Sequence, residues 1–206
     1  MSKFRTEQEG FWAGEFGNEY IRRNQGADVV ASNIGLFAKA LQHAQAIGSI
    51  LEMGANIGMN MHALHPLFPQ AELHAVEINV QAYEQLRQLL FVNAINSSIL
   101  DFTPTRNFDL VLIKGVLIHL DPSILPEVYD KLFTASQRYI LVAEYYNPSP
   151  VEISYRGHSN RLFKRDFAGE LMARHPSLQL VDYGFAYHLD PKWVQDDLSW
   201  FLMEKR

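Results

Sequence analysis

The chain has 206 residues, enough to bury a full hydrophobic core but too few for two large domains, so a single domain over 1–206 with local additions is expected. Hydrophobic residues make up 48% and charged residues 20%, the balance of a globular protein. The 18 Lys and Arg against 23 Asp and Glu give a net charge of -5, which disfavours a general nucleic-acid binder; the lack of cysteine excludes disulfides, thiolate metal sites and thiol nucleophiles, and no metal site is read.

The opening MSKFRTEQEGFW lacks the apolar run of a secretory signal, and no later segment has the length of a membrane span. A soluble, cytoplasmic protein is therefore expected. Residues 1–47 are expected to form a helical lid or cap. Within them FWAGEFGNEYIRRN is dense in rings for a polar stretch, and two readings stand for it. Either Phe11, Trp12, Phe16 and Tyr20 close over a site, where with Arg22, Arg23 and Asn24 they suit a sugar or nucleotide, or they only pack the region onto the core. Asp28 is the expected N-cap of the next helix, because Val29, Val30, Ile34, Phe37, Ala38 and Leu41 follow at helical spacing.

From Ser49 onward short aliphatic runs alternate with amphipathic stretches, the pattern of a parallel sheet covered by helices, so the expected class is α/β. Expected strands are 49–53, 72–76, 98–100, 108–113 and 139–143. Two more, 178–187 and 197–203, are joined by a connection too short for a crossover helix, which predicts an antiparallel terminal hairpin. The connection 103–107 is likewise too short for a helix.

The segment SILEMGANIGMN leads from a strand into a helix, with Gly54 and Gly58 at the turn. Small residues there admit a ligand to the backbone and to the free N–H groups of the helix start. A dinucleotide fingerprint fails because Glu52 stands at its first glycine, and a P-loop fails on spacing and on the missing Lys and Ser or Thr. What fits is E-x-G-x-x-x-G. At these residues the chain resembles the class I S-adenosylmethionine-dependent methyltransferases, with a Rossmann-like seven-stranded sheet, mostly parallel, ending in an antiparallel hairpin. The resemblance implies that S-adenosyl-L-methionine is bound, with Glu52, Gly54, Ala55, Asn56 and Gly58 at its methionyl half. It also implies Glu77 of LHAVEIN, followed by Ile78, at the ribose, and Asp101 with Phe102 at the adenine.

In FDLVLIKGVLIHL, Lys114, Gly115 and Val116 are expected near the sulfonium, at the strand end where open α/β sheets bind ligands. His119 is the leading general base, since a neutral imidazole is available at neutral pH; its other reading is a cap for the turn at Asp121 and Pro122. Tyr145, Tyr155 and His158 are the remaining base candidates. Between Tyr155 and Arg165 the chain carries Arg156, Arg161, Lys164 and Arg165 and no acid. Arg156, His158, Asn160 and a helix capped by Ser159 read as a site for a carboxylate or phosphate, with Arg161 beside them, whereas Lys164 and Arg165 read as solvated charges.

Taken together, FWAGEFGNEYIRRN, LEMGANIGMN, KGVLIHL, EYYNP and YRGHSNRLFKRDF resemble the methyltransferase family associated with pseudaminic acid biosynthesis. That implies a small anionic acceptor, a nonulosonic acid, its nucleotide-linked form or an amino-sugar precursor, methylated on oxygen or nitrogen. Trp12, Tyr20, Arg23, Arg156, Asn160 and Arg161 are the substrate-side candidates. A tRNA or other small-metabolite methyltransferase, a non-catalytic methyltransferase-like module and a nicotinamide-dependent oxidoreductase are the alternatives. Oligomeric state is left open.

Overall fold

The structure, a computed structural model, describes residues 4–206. Three helices come first: α1 (Glu7–Ala13), α2 (Glu15–Arg23) and α3 (Ala27–Ala40). An alternating series follows, with β1 (Ser49–Met53), α4 (Met59–Leu67), β2 (Glu72–Glu77), α5 (Val80–Leu86), β3 (Val92–Asn96), β4 (Phe108–Lys114), α6 (Leu125–Ala135) and β5 (Ser136–Glu144). A two-stranded ribbon, β6 (Val151–Glu152) and β7 (Phe163–Lys164), precedes α7 (Phe167–Arg174) and the closing strands β8 (Leu178–Ala186) and β9 (Leu198–Lys205).

The main sheet has the order β3-β2-β1-β4-β5-β9-β8. Its first five strands are parallel, while β9 runs antiparallel to β5 and β8 to β9, so the expected α/β class and terminal hairpin are both found. Every residue of β1 is buried, which is why SILEM reads as an unbroken run rather than an alternation. One sheet face packs Leu51, Val111, Ile113, Ile140 and Val142 against α6 and α7. The other packs Ile50, Leu110, Leu112 and Leu141 against Leu36, Phe37 and Ala40 of α3 and Met61 and Leu64 of α4. From β1 the chain runs outward to β2 and β3, then returns to β4 on the far side of β1. Such a reversal leaves a crevice at the carboxyl ends of the strands.

Three local expectations are corrected. The third strand is Val92–Asn96, not 98–100, because α5 ends early at Leu86 and VNAIN, with Val92 and Ile95, pairs in register with Leu73 to Glu77. Residues 98–101 form a turn in which the Phe102 and Asp101 amides donate to the Ser98 carbonyl. The N-cap of α3 is Gly26, which leaves Asp28 in the first turn, where its charge still complements the helix dipole. Ser159 caps no helix: it lies in the connection between β6 and β7, and the following helix is capped by Asp166, whose side chain accepts from the Gly169 amide. As expected, no helix lies between β3 and β4. No helix among the described residues is long and apolar enough to cross a membrane.

Candidate functional site

A cavity lies at the carboxyl ends of β1, β2 and β4, beneath α1 and α2. Its floor is Gly54, Ala55, Asn56, Glu77, Ile78, Lys114, Gly115 and Val116, and its cover includes Trp12 and Tyr20. Gly54 has φ +84, and a Cβ there would stand 2.5 Å from a Val116 methyl, so the β1 turn and the β4 turn approach this closely only with glycine. Gly58 is the N-cap of α4 and lies behind that turn.

Glu77 is buried at the end of β2. One carboxylate oxygen accepts the Asn56 amide and the other the Asn79 amide, each at 2.7 Å. Burial raises its pKa, opposed by these backbone bonds. Each oxygen keeps a lone pair, so a diol bound at the cavity face has two acceptors held in fixed positions. Glu52 is fully buried on β1 and accepts from the Asn60 amide at 2.5 Å, leaving its second oxygen buried without a partner. Burial pushes its pKa up to about 7. The Asn56 side-chain oxygen is also buried and unpartnered. Unmet acceptors of this kind, lining or underlying a cavity, are what an amino-acid ammonium requires.

At the other end, Ser97, Ser98, Ile99 and Leu100 line the cavity. Asp101 and Phe102 do not: Asp101 is exposed, and Phe102 is packed into the core. The expectation for both rests on a strand at 98–100, and with the strand at Val92–Asn96 they fall outside the cavity. Ser98 takes their place, its hydroxyl hydrogen-bonded to Glu9 of α1.

The cover is fastened by polar contacts. The Asn79 side-chain amide donates to the Trp12 carbonyl at 3.1 Å and to the Asn18 side chain at 2.9 Å, while its oxygen caps α5 through the Ala82 amide at 3.0 Å. Gly17 makes the approach of α2 possible, since an added Cβ would lie 1.9 Å from the Trp12 carbonyl oxygen and 2.8 Å from the Asn79 amide nitrogen. Gly17→Ala is therefore expected to displace α2 and to cost about 2 to 3 kcal/mol, because the nearer obstacle is backbone. A denaturation midpoint equal to that of the wild type would contradict this. By contrast, Arg5→Ala should leave the denaturation midpoint nearly unchanged, since its 2.6 Å pair with Glu127 lies on the surface.

His119 sits on a short 3-10 turn after β4 and lines the cavity. Its Nδ1 is 2.7 Å from the Arg161 carbonyl oxygen. A carbonyl only accepts, so Nδ1 carries the proton and Nε2 presents a lone pair. Burial drives the His119 pKa down to about 4, against the Arg161 bond, which raises it. A histidine whose folded pKa lies below its unfolded value contributes stability above pH 6.5 that is lost as pH falls toward 4. Between pH 6.5 and 4 the wild type should lose about 3 kcal/mol of stability relative to His119→Phe, as read from the difference between their urea midpoints, because the buried carboxylates are common to both.

The Trp12 ring lies 4.5 Å from His119 and 5.2 Å from Tyr20, and Tyr155 lies 4.9 Å from His119. Phe11 and Phe16 meet His158 at 5.2 and 5.8 Å. The aromatic opening thus packs against His119 and the 155–161 segment rather than onto the sheet. That segment turns tightly: Tyr155 and His158 exchange backbone hydrogen bonds at 2.8 and 2.9 Å across Arg156 and Gly157, both with positive φ, as in the tight turns of hairpins.

Of the remaining candidates, Tyr145, Tyr155 and His158 do not line the cavity. The Tyr145 hydroxyl donates to Asp196 at 2.8 Å, and burial raises its pKa. Arg23, Arg156, Asn160 and Arg161 also lie outside the lining: Arg156 and Asn160 are exposed, and Arg161 packs over Phe11 at 5.0 Å and pairs with Glu7. The anion site expected at 156–161 is thus not part of the cavity wall, because Arg156 is exposed on its turn while Arg161 is half-buried against Phe11 and Glu7. Neither Lys164 nor Arg165 is a free cation, as Arg165 pairs with Glu170 at 2.7 Å and Lys164 lies over the Tyr145 ring at 5.1 Å.

Four residues escaped the sequence reading. Asn33 is buried on the sheet-facing side of α3, and a polar side chain at core spacing was its signal. Asn79 was signalled by its N-cap position directly after VEI. Gly17 and Glu144 had no local signal. Glu144, buried at the end of β5, accepts the Val116 and Leu117 amides, each at 2.9 Å, and so fixes the turn that carries His119; burial pushes its pKa up to about 7.

The sheet order, the terminal hairpin and a cavity at the β1, β2 and β4 ends define the class I methyltransferase fold, and this chain has it. Among solved structures it is similar to magnesium protoporphyrin IX methyltransferase of Synechocystis PCC 6803 with bound S-adenosylmethionine, at TM-score 0.72 and 10% identity over 100% of both chains. It is similar to the mitomycin 7-O-methyltransferase MmcR at TM-score 0.70 and 15% identity, covering 98% of this chain and 61% of that one. It is also similar to the plantazolicin methyltransferase BpumL in complex with a pentazolic desmethylPZN analog and S-adenosylhomocysteine, at TM-score 0.65 and 12% identity, over 92% of this chain and 89% of that one. No family model and no curated protein matches the sequence.

Proposed function

We propose that the protein is an S-adenosylmethionine-dependent methyltransferase acting on a small acceptor. The observation that carries this reading is Glu77, buried at the end of β2 with both oxygens fixed by backbone amides and facing the cavity. Glu77 would hold the ribose hydroxyls, Ser97 to Leu100 would border the adenine, and Gly54 to Asn56 with Glu52 and Asn60 beneath would hold the methionyl end. Fold neighbours solved with S-adenosylmethionine or S-adenosylhomocysteine support the same reading.

The cofactor supplies a methyl group on a sulfonium, open to displacement by an oxygen or nitrogen lone pair. The protein's part is to align that lone pair and to take the proton. His119 Nε2 would perform the second task, in the tautomer set by the Arg161 carbonyl. Trp12, Tyr20 and the neighbouring rings form a cover that excludes water, which supports the lid reading.

The acceptor we propose is an anionic sugar of the nonulosonic or pseudaminic acid type, or its nucleotide-linked form, handled in the cytoplasm. What supports it is the motif resemblance and the ring-lined cover, a surface suited to sugar faces. Calorimetry with S-adenosylhomocysteine and with NAD tests the cofactor, with binding expected for the first alone. A labelled-methyl assay comparing sugar nucleotides and free nonulosonic acids with total RNA tests the acceptor. Label transferred only to RNA would sink the sugar reading.

A further inference from the structure

We infer that the end of the cavity bounded by α2, α3 and the end of β4 is a subsite for a carboxylate of the methyl acceptor, held by the Lys114 ammonium, the Asn33 amide and the Tyr20 hydroxyl. This rests on the methyltransferase reading and names the chemistry of its acceptor. All three residues line the cavity. Asn33 is 1% exposed, and its side-chain nitrogen is buried with no partner. The orientation of that amide is set, because its oxygen already accepts from Gln195 at 2.8 Å. Neither the Lys114 ammonium nor the Tyr20 hydroxyl makes a hydrogen bond or ion pair among the described residues.

The three groups come from three elements but share one neighbourhood. Gln195 holds Asn33, and the charge of the adjacent Asp196 is felt at both Tyr20 and Lys114. Burial lowers the Lys114 pKa, while Glu52, Asp196 and Glu144 oppose that and favour the ammonium. Asp196 is itself engaged by the Tyr145 hydroxyl. A buried donor left unmet is costly, so a wall that sets the unpartnered Asn33 nitrogen beside the half-buried Lys114 ammonium and Tyr20 hydroxyl suits a ligand rich in acceptors.

The carboxylates that line the cavity are both occupied. Glu77 holds two amides, and Glu9 holds the Arg5 amide at 2.8 Å and the Ser98 hydroxyl. The methionyl zwitterion has partners elsewhere, with Glu52 and the Asn56 oxygen as unmet acceptors for its ammonium and the first turn of the nine-residue α4 supplying N–H groups for its carboxylate. The donors at Lys114, Asn33 and Tyr20 are then left for the acceptor. The anion site that the sequence suggested on the 156–161 surface is moved by this inference into the cavity.

Calorimetry on the full chain saturated with S-adenosylhomocysteine, titrated with N-acetylneuraminic acid and with its methyl ester, is the test. The acid is expected to bind at least about ten-fold tighter than the ester in the wild type, with the preference lost in Asn33→Asp and Lys114→Met. Asn33→Asp keeps the oxygen that meets Gln195 and the side-chain shape, so it decides alone if Lys114→Met melts early. No preference in the wild type, or an unchanged preference in Asn33→Asp, overturns the inference.

A second arm compares S-adenosylhomocysteine with its decarboxylated analogue. Their affinity ratio should be the same in the wild type and Asn33→Asp; collapse of the ratio in the variant would mean that these donors hold the cofactor's carboxylate, and would overturn the assignment. Failure of the wild type to bind S-adenosylhomocysteine at all would instead remove the methyltransferase reading. The acid and ester comparison without it would still score the subsite.

Discussion

Glu77→Ala is expected to lower affinity for S-adenosylhomocysteine by at least about 100-fold in calorimetry and to destabilise the folded chain by about 2 to 4 kcal/mol. Two losses combine. The diol of a bound ribose would lose both charged acceptors, and the Asn56 and Asn79 amides, now fixed at 2.7 Å, would be left unpaired. Glu77→Gln separates the effects, since its single oxygen satisfies one amide while its NH2 group faces the other. It should retain more stability than Glu77→Ala yet bind poorly. Wild-type affinity in either variant would detach Glu77 from the cofactor and leave it a structural brace between the β1 and β2 turns.

Replacing His119 by Ala should lower the rate of methyl transfer to the true acceptor by about 10² to 10⁴, the usual range for a positioned acid or base, with little change in S-adenosylhomocysteine affinity. The geometry supports a base rather than a cap. Nδ1 is committed to the Arg161 carbonyl, Nε2 is free, and the neighbouring turn at Asp121 is capped by the Asp121 side chain through the Ser123 amide at 2.8 Å. Because burial holds the His119 pKa down to about 4, the ring stays neutral through the physiological range. Loss of activity in acid by protonation of His119 is therefore expected near pH 4 rather than near 6.5. Near-normal turnover of His119→Ala would remove it from the mechanism, and Lys114 would then be the basic group left lining the cavity.

The E-x-G-x-x-x-G loop and Glu77 could be read from sequence because their chemistry is local. A glycine at the end of a buried strand and an acid at the end of the next are set by a few neighbouring residues. The third strand was misplaced for the opposite reason. Val92–Asn96 and 98–100 are both short apolar runs, and what chose the first was five-residue register with β2, a pairing across the sheet. Likewise Arg156 and Arg161 read as one cluster, although a two-residue turn leaves Arg156 exposed while Arg161 packs over Phe11 and pairs with Glu7.

By itself, then, the sequence determined the α/β class, the terminal hairpin, the glycine turn and the acid after β2, since periodicity, turn chemistry and strand-end polarity are written within short stretches. Only the tertiary structure decided which side chains face the cavity. Asn33 from α3, Asn79 from the start of α5, Gly17 from α2 and Lys114 from β4 are brought together by packing between elements up to about a hundred residues apart, and no local pattern encodes that convergence.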